Sequence, residues 1–295
     1  MKLAEFDAWV SAETARVERA LESWVPAGAP AGLGQAMRYG VLDGGKRVRA
    51  LLVLAAAQAV HGLPGAALRA ACAVELIHAY SLVHDDMPCM DNDVLRRGKP
   101  TVHVQFGQAQ AMLAGDAMQA LAFEVLTPND GAGNALPDMP CALQARLCAL
   151  LARAAGHAGM AGGQAIDLAS IGQPLDEHAL RNMHHRKTGA LLQASVLMGA
   201  ACGATSAAAW DALGLAFQVV DDILDATQAS ETLGKTAGKD LDNNKPTYVT
   251  VLGLPAARRH AHDLRDIAQA ALARSGLGNA AWLSLLADKV VERDN

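Results

Sequence analysis

Apolar residues recur at helical spacing along most of this 295-residue chain, and this periodicity restricts the fold more than any other feature. Runs of alternating β-branched residues bounded by turns, which indicate strands, are almost absent. Alanine and leucine dominate the apolar 52%, and both residues lose little free energy on entering a helix. The sequence therefore predicts an all-α protein.

Clusters of glycine and proline separate the predicted helices. They stand at 26–34, 61–65, 128–140 and 172–174. The helices are predicted at 3–25, 35–43, 46–60, 65–86, 105–127, 141–157, 159–171, 176–203, 206–226, 247–252, 255–275 and 279–293. No linker long enough to separate two domains interrupts them, so a single domain over 1–295 is predicted. The polar segment 227–246 carries three lysines, and a polar loop of that length is typical of a lid.

Composition excludes several classes of function. The formal net charge is −5, which argues against a nucleic-acid partner. The five cysteines are odd in number and form no CxxC pair, so neither a disulfide framework nor a zinc site is expected. The first 22 residues carry acidic side chains instead of the apolar run of a signal peptide, and no uncharged apolar stretch of about 18 residues predicts a membrane span. We therefore expect a cytoplasmic protein without stable membrane insertion.

Two clusters of aspartate end apolar predicted helices. The first, HDDMPCMDND, contains Asp85, Asp86, Asp91 and Asp93, and Pro88 forces the chain out of regular helix there. Carboxylates at the C-terminal end of a helix face the negative end of its dipole, which is an unfavourable place for anions.

The second cluster, DDILD, contains Asp221, Asp222 and Asp225. Asp221 and Asp225 lie one turn apart, and like charges at that spacing destabilise a helix by about 0.2–0.5 kcal/mol. A divalent cation reverses the sign of this contribution, and Mg²⁺ prefers a few carboxylates together with water and substrate phosphates. A solvated acidic helix end is the alternative for either cluster alone, but two clusters of the same form favour a metal site.

Basic residues stand near these acidic clusters. Arg96, Arg97 and Lys99 come directly after the first cluster, and a guanidinium fork matches two phosphate oxygens. The segment GGKRVRA at 44–50 supplies two glycines and the bases Lys46, Arg47 and Arg49. Free amides and side-chain charge converge at a helix start, so this segment predicts an anion site, with a helix cap beside solvated bases as the alternative.

Polar side chains also interrupt the apolar helices. His78 is seven residues before Asp85 and shares its helix face, where it donates to a phosphate or is a plain core histidine. Further along are Lys187, Thr188 and, one turn before the second cluster, Gln218. Neither a GxSxG motif nor a cysteine with a neighbouring histidine appears. This inventory predicts electrostatic stabilisation of a cation rather than covalent catalysis.

Six segments, in order, match one family: GGKRVRA, ELIHAYSLVHDDMPCMDNDVLRRGKPT, LAGDAM, MAGGQAIDL, RKTGALL and FQVVDDILD. Through them the chain resembles the trans-isoprenyl diphosphate synthases, and among these the bacterial farnesyl diphosphate synthases of the geranyltranstransferase type. The resemblance implies an antiparallel helical bundle around a central cavity, the type I isoprenoid synthase fold, and a homodimer. It also implies head-to-tail condensation of an allylic diphosphate with isopentenyl diphosphate.

The same resemblance implies roles for single residues. Three Mg²⁺ ions are expected to join the allylic diphosphate to both clusters through Asp85, Asp91 and Asp221, with support from Asp86, Asp222 and Asp225. The allylic diphosphate is also expected to bind Arg96, Lys187 and Lys235. Isopentenyl diphosphate is expected to bind Lys46, Arg49, His78 and Arg97. The allylic cation is expected to be stabilised by oxygens of Thr188 and Gln218 and by the Lys187 carbonyl, while the departing pyrophosphate removes the proton.

Product length is expected to depend on side-chain bulk below the first cluster. Tyr80 and Ser81 precede Asp85 by five and four residues, so either can face an allylic tail that descends along this helix. By the resemblance, the bulk of Tyr80 predicts a C15 product, although MDNDVLRRGKPT also resembles C20 synthases. One departure from the family is Ala50, where proline usually stands, and this change is expected to alter stiffness more than chemistry.

Other functions fit parts of the pattern. A geranyl or geranylgeranyl diphosphate synthase is the nearest alternative. A type I terpene cyclase would share the helical bundle and the first aspartate cluster, but GGKR and the second cluster are not expected in it. An inactive regulatory subunit typically lacks one cluster, and this chain has both. Farnesyl diphosphate synthase is therefore the function that the sequence predicts.

Overall fold

The structure is a computed structural model that describes residues 3–42, 44–173, 175–203, 205–227, 254–277 and 279–291. Within these residues the regular structure is almost entirely helical, which confirms the all-α prediction. The helices are α1 (Leu3–Trp24), α2 (Leu33–Val41), α3 (Val48–Ala59), α4 (Pro64–Asp85), α5 (Val102–Phe106), α6 (Gln108–Leu126), α7 (Cys141–Ala155), α8 (Met160–Ala169), α9 (Glu177–His184), α10 (Ala190–Ala201), α11 (Ala207–Thr227), α12 (Leu254–Arg274) and α13 (Ala281–Val291). A 3₁₀ turn spans Pro30–Gly32, a π-helical segment spans His185–Gly189, and the strands β1 (Leu95–Arg96) and β2 (Lys99–Pro100) form an antiparallel hairpin.

The helix ends agree with the sequence prediction to within a few residues, and the differences have physical reasons. The helix predicted at 105–127 is two helices, α5 and α6, because Gly107 between them has φ +88°. The start of α3 is at Val48 because Arg47 has φ +48°, which lies outside the helical region. The hairpin is too short for a pattern of period two to reveal it. The helix predicted at 247–252 lies outside the described residues.

Helix α4 lies at the centre of the larger hydrophobic cluster, where α2, α3, α6 and α10 pack around it. Among the described helices, it is the one long and apolar enough to cross a membrane by those two measures, and 67% of its apolar window is buried inside the protein, as in a core helix. Small residues let the neighbouring helices approach closely. A side chain on Gly199 of α10 would collide with the carbonyl oxygen of Val53 on α3. The middle of α4 is therefore held by its neighbours, while most residues of its last turn, which leads into the first aspartate cluster, are half-buried.

A second cluster joins α11, α12 and α13 to α1, α3 and α10. Its largest fully buried side chains are Phe6 and Phe217. The rings of Trp9 and Trp282 stack at its edge with centroids 5.2 Å apart. Because α3 and α10 contribute to both clusters, the two share their central helices. The single domain over 1–295 includes residues beyond those described and stays a prediction.

Candidate active site

The loop after α4 folds back against the end of that helix. The amide of Asp91 donates to the carbonyl oxygen of Asp85 at 2.9 Å, and the amide of Asp93 donates to that of Asp86 at 3.1 Å. These bonds satisfy helix-end carbonyl groups that have no partner within α4. Asn92 between them has φ +52°, a strained value of a kind that concentrates at functional sites. The loop thus holds Asp85 and Asp91, the two predicted metal ligands of the first cluster, next to each other.

Helix α8 reaches the first cluster through a glutamine. Gln164 Nε2 donates to Asp85 Oδ1 at 2.6 Å. A hydrogen bond to a charged acceptor is stronger than a neutral one, so it restricts the direction in which the Asp85 carboxylate points.

Asp86 and Arg96 bind each other. Arg96 Nε donates to both carboxylate oxygens of Asp86 at 2.9 and 2.8 Å, and Nη2 donates to Oδ1 at 2.6 Å. Asp86 is only 3% exposed. Burial lowers the pKa of Arg96, but the hydrogen bonds and charge of Asp86 outweigh it and leave that pKa raised. The structure therefore places Asp86 as the anchor of Arg96, whereas the sequence interpretation gives the two residues to a metal and a diphosphate.

The π-helical segment carries the predicted residues Lys187 and Thr188 between α9 and α10. Lys187 Nζ lies 2.6 Å from Oδ2 of Asp167, a buried carboxylate on α8. Gly163 of the same helix makes this approach possible, because a side chain there would collide with the Lys187 backbone. The sequence predicts one helix at 176–203, and the π turn is inserted into it without ending it. Such turns in α-helices are frequent at functional sites.

Helix α11 carries the second cluster and packs against the π-helical segment. Its backbone is helical through Thr227, which places Gln218, Asp221, Asp222 and Asp225 at spacings of three and four residues along one face. The side chains of 218–227 and the whole of Lys235 lie outside the described residues. The fold therefore brings the α11 backbone to Lys187 and Thr188.

The charges of several arginines act on His78, which lies two turns before Asp85 on α4. Burial and then the charges of Arg49, Arg97, Arg96 and Arg47, in that order, lower the pKa of His78 well below its usual value. The ring is thus neutral near pH 7 and keeps one N–H to donate. Burial and the charges of Arg47 and Arg96 also lower the pKa of Arg97. An anion would lower the electrostatic repulsion between such like charges. The predicted ligands of isopentenyl diphosphate that fall in this electropositive region are His78, Arg49 and Arg97.

The glycine pair of GGKRVRA shapes this region by holding Arg97. Arg97 Nη1 donates to the carbonyl oxygen of Gly44 at 2.7 Å. A Cβ atom on Gly45, which has φ +108°, would lie 2.9 Å from Arg97 Nη2. Lys46 follows with an exposed side chain. The two glycines are needed for close contact with a guanidinium, in addition to any contact with an anion.

Arg47 does not belong to the anion site, which corrects the sequence interpretation of all three bases at 46–49. It is 5% exposed. Its Nε donates to Glu18 at 2.7 Å, Nη1 donates to Glu75 at 3.2 Å, and Nη2 donates to the Val41 carbonyl oxygen at 2.6 Å. These partners from α1, α2 and α4 engage all three nitrogens of the guanidinium within the protein.

Tyr80 lies between α4 and α6. Gln119 Nε2 on α6 donates weakly to its hydroxyl at 3.5 Å, and its ring meets the His84 ring edge-on at 5.7 Å. Ser81 instead donates its hydroxyl proton to the His78 carbonyl oxygen at 2.8 Å, within its own helix. Of the two predicted chain-length residues, Tyr80 therefore presents bulk between the helices and Ser81 presents little.

The donor chemistry around the first cluster fits Mg²⁺. Carboxylate oxygens are the ligands this ion takes, usually one or two from the protein with waters and substrate phosphates completing the octahedron. Among the described residues, no three carboxylate, imidazole or thiol groups converge as a ready-made cage.

Known proteins share these sequence features. A family profile for polyprenyl synthetases matches residues 30–276. The chain belongs to the polyprenyl synthetase family. Farnesyl diphosphate synthase from Escherichia coli (strain K12) is 45% identical over 272 residues, which cover 88% of this chain and 89% of that protein. Heterodimeric geranylgeranyl pyrophosphate synthase large subunit 1 from Arabidopsis thaliana is 43% identical over 301 residues, which cover 99% of this chain and 80% of that protein.

Solved structures of polyprenyl synthetases share the fold as well. An FPP/GFPP synthase from Zymomonas mobilis has a TM-score of 0.86 at 37% identity and covers 98% of this chain and 99% of its own. A geranyltransferase from Helicobacter pylori, complexed with magnesium and isoprenyl diphosphate, has a TM-score of 0.79 at 33% identity and covers 96% of both chains. The type I isoprenoid synthase fold is thereby confirmed, and this polyprenyl synthetase is a prenyltransferase of isoprenyl diphosphates in a family that uses Mg²⁺.

The structure adds four residues that the sequence interpretation missed. They are Gly115, Gly163, Gln164 and Asp167. Gly115 accommodates His84, since a side chain at 115 would collide with that ring, whose Nε2 lies 2.9 Å from the Met112 carbonyl oxygen. Gln164 and Asp167 are polar residues three apart within an apolar helix, a signal that was present in MAGGQAIDL.

Proposed function

We propose that this polyprenyl synthetase is a farnesyl diphosphate synthase that condenses dimethylallyl or geranyl diphosphate with isopentenyl diphosphate. The observation that carries the proposal is the division of charge along the last turns of α4. Asp85 at its end, with Gln164 and the Asp167–Lys187 pair beyond it, forms an acidic side. Two turns earlier, His78 and the arginines whose charges act on it, Arg49 and Arg97, form a basic side. One diphosphate bound through metal ions and a second bound directly by cationic side chains fit this division.

The first diphosphate is the allylic one. Asp85 and Asp91, together with Asp221 of α11, would hold three Mg²⁺ ions, which when bound neutralise the charge of the leaving diphosphate. Lys187, Arg96 and Lys235 are proposed to bind its oxygens directly. The ion pairs of Lys187 with Asp167 and of Arg96 with Asp86 keep both cations ordered near this position.

The second diphosphate needs no metal in this proposal. Lys46, Arg49 and Arg97 bind isopentenyl diphosphate as charged donors, and neutral His78 donates one N–H. The C1–O bond of the allylic substrate breaks, and the cation is stabilised by oxygens of Thr188 and Gln218 and by the Lys187 carbonyl. C1 then forms a bond to C4 of isopentenyl diphosphate. The released pyrophosphate takes the proton from C2, so no protein base is required.

The C15 product is proposed from the position of Tyr80. Its ring fills space between α4 and α6, five residues before Asp85, where an allylic tail would descend. A farnesyl diphosphate synthase among the relatives supports this length. Geranylgeranyl diphosphate is the second candidate product, because a relative of similar identity is named for that activity.

Purified protein with Mg²⁺, labelled isopentenyl diphosphate and geranyl diphosphate tests the proposal. We expect labelled C15 alcohol after phosphatase treatment, resolved by chromatography. A main C20 alcohol would replace the first candidate with the second, and the absence of any elongated product would refute prenyl elongation altogether.

Assembly and location are also proposals. We propose a homodimer, supported by the exposed apolar side chains Val104, Met112 and Leu113 on α5 and α6. Light scattering of the purified protein measures its mass directly, and a monomer at micromolar concentration would refute the dimer. A cytoplasmic location is supported by five cysteines that are all free thiols.

A further inference from the structure

Glu75 is a buried carboxylate that the proposed mechanism does not use. It lies in the middle of α4 and is 3% exposed. It is one turn before His78, so it lies on the helix face that points to the proposed isopentenyl diphosphate site. A carboxylate that close to a dianion would repel it unless the charge were compensated. The contacts of Glu75 explain how this position is tolerated and what it does.

Glu75 binds two parts of the segment that starts α3. Its Oε1 accepts the amide N–H of Ala50 at 3.1 Å, and its Oε2 accepts from Arg47 Nη1 at 3.2 Å. The Ala50 amide belongs to the first turn of α3, where amides have no partner within the helix. Only a residue with an N–H makes this bond, so the alanine at position 50 has a consequence that proline would not.

Arg47 connects this carboxylate to the rest of the fold. It stands directly before α3 with φ +48°, and it binds Glu18 of α1 and the Val41 carbonyl oxygen at the end of α2. Its single positive charge lies between two carboxylates. Three bases that look alike in sequence are thereby divided into one structural cation and two that flank the site.

We infer that Glu75 is a positioning residue for the isopentenyl diphosphate site, which it serves by binding the Ala50 amide and Arg47 so that the start of α3 holds Arg49 beside His78. This inference rests on the proposed function. It assigns to Glu75 no contact with substrate. Its effect is confined to the substrate that binds without metal, because the contacts of Glu75 lead to the 44–50 segment.

The experiment compares Glu75→Gln with wild type in steady-state kinetics, varying each substrate at saturation of the other. Glutamine keeps an acceptor for the Ala50 amide but loses the charge that holds Arg47. We expect the KM for isopentenyl diphosphate to rise about tenfold, with kcat and the KM for geranyl diphosphate within about twofold of wild type. An unchanged KM for isopentenyl diphosphate, or an equal rise for both substrates, would overturn the inference.

Glu18→Gln is the matched control. It removes the other carboxylate partner of Arg47 but leaves both bonds of Glu75, to the Ala50 amide and to Arg47, in place. Because α4 then still binds the start of α3, we expect the KM of Glu18→Gln for isopentenyl diphosphate to stay within about twofold of wild type. A rise as large as that of Glu75→Gln would show that any loosening of Arg47 is sufficient, and it would overturn the role assigned to Glu75.

A double variant keeps the test usable if Glu75→Gln does not fold. Replacing a buried ion pair by apolar side chains of similar volume is often neutral for stability, so Arg47→Met with Glu75→Met is expected to fold. It should still raise the KM for isopentenyl diphosphate about tenfold, and a wild-type KM would overturn the inference. An inactive wild type refutes the proposed function and with it this role, whereas an active wild type with unaffected variants refutes this role alone.

Discussion

The two sides of the site at the end of α4 solve the problem of buried charge in different ways. On the acidic side each described ionic contact joins unlike groups across elements, as in Asp167 with Lys187 and Asp86 with Arg96. On the basic side the charges of Arg49 and Arg97 act on a neutral histidine, while Arg47 and Arg96 are held by carboxylates. A side that is internally paired suits a ligand that arrives with cations, whereas a side with excess positive charge suits a bare anion. The experiments below test whether the two sides act on separate substrates.

Removal of metal should have the largest effect, and only through the acidic side. Treatment with EDTA is expected to lower turnover at least about 10³-fold, because the leaving diphosphate then keeps its charge. Excess Mg²⁺ should restore the rate when added back to the same sample. If product still forms at the same rate after chelation, the acidic side does not act through metal, and the proposed contrast between the two sides is wrong.

Asp167→Asn tests whether pairing on the acidic side holds Lys187 in place. Loss of the 2.6 Å ion pair should let Lys187 move away from the allylic diphosphate, and we expect kcat to fall about 10- to 100-fold. The KM for isopentenyl diphosphate should change less than about twofold.

Asp176→Asn is the control for that variant. Asp176 caps α9 by accepting the Ala179 amide at 2.7 Å, and asparagine caps helices as well as aspartate does. Its kinetics should equal those of wild type. A kcat for Asp167→Asn that also equals wild type would mean that the ion pair has no part in turnover.

Arg97→Gln addresses the basic side. Charged hydrogen bonds contribute about 1.5–3 kcal/mol, so the KM for isopentenyl diphosphate should rise at least about tenfold. The KM for geranyl diphosphate should not change. Arg146→Gln, which removes an exposed arginine that stacks on Trp210 at 4.2 Å, is the control and should leave both constants unchanged. Equal effects of Arg97→Gln on both substrates would show that the two sides are not independent.

Tyr80→Ala tests whether the Tyr80 ring between α4 and α6 limits product length. Removal of the ring should open space between α4 and α6, and chromatography of dephosphorylated products should detect alcohols longer than those of wild type. Ser81→Ala removes only a hydroxyl that bonds within its own helix, so it should keep the wild-type distribution. If the products of Tyr80→Ala match those of wild type, Tyr80 does not limit chain length.

The smallest expected effect concerns stability rather than kinetics. Gly163→Ala places a methyl group against the Lys187 backbone and should lower the free energy of unfolding by about 1–3 kcal/mol. Gly214→Ala on α11 meets only flexible side-chain ends at 3.9 Å, so it should raise that free energy by about 0.5–1 kcal/mol. Thermal denaturation of both variants tests whether the approach of α8 to the π-helical segment is as close as described.

Local pattern was sufficient for most of the fold. Helical periodicity and Gly/Pro breaks predicted nearly every described helix, and the position of the aspartates at helix ends predicted where the site lies. These features depend on neighbours within a few residues. Exceptions arose where one backbone dihedral decides, as at Arg47 and Gly107. A positive φ at a non-glycine residue such as Arg47 leaves no pattern in sequence, and a single glycine such as Gly107 does not by itself reveal whether its φ is positive.

The partners of single side chains were much harder to predict. Arg47 and Arg49 are two residues apart and look equivalent, yet only Arg47 meets Glu18 and Glu75, which are 29 and 28 residues away along the chain. Asp86 and Arg96 likewise pair only because the intervening loop turns back. Such contacts depend on tertiary packing. Sequence therefore located the charges of the site but did not divide them into those that bind substrate and those that hold the fold.

Helix α4 carries Glu75, His78, Tyr80 and Asp85 on one continuous rigid element. Insertion or deletion of one residue between any two of them would rotate the rest by about 100° and shift them by about 1.5 Å. The proposed residues of both diphosphate sites and Tyr80 would then no longer keep their relative positions. Exchange of a single side chain on α4 alters one of these positions alone, whereas a change in the residue count between positions 75 and 85 displaces several of them at once.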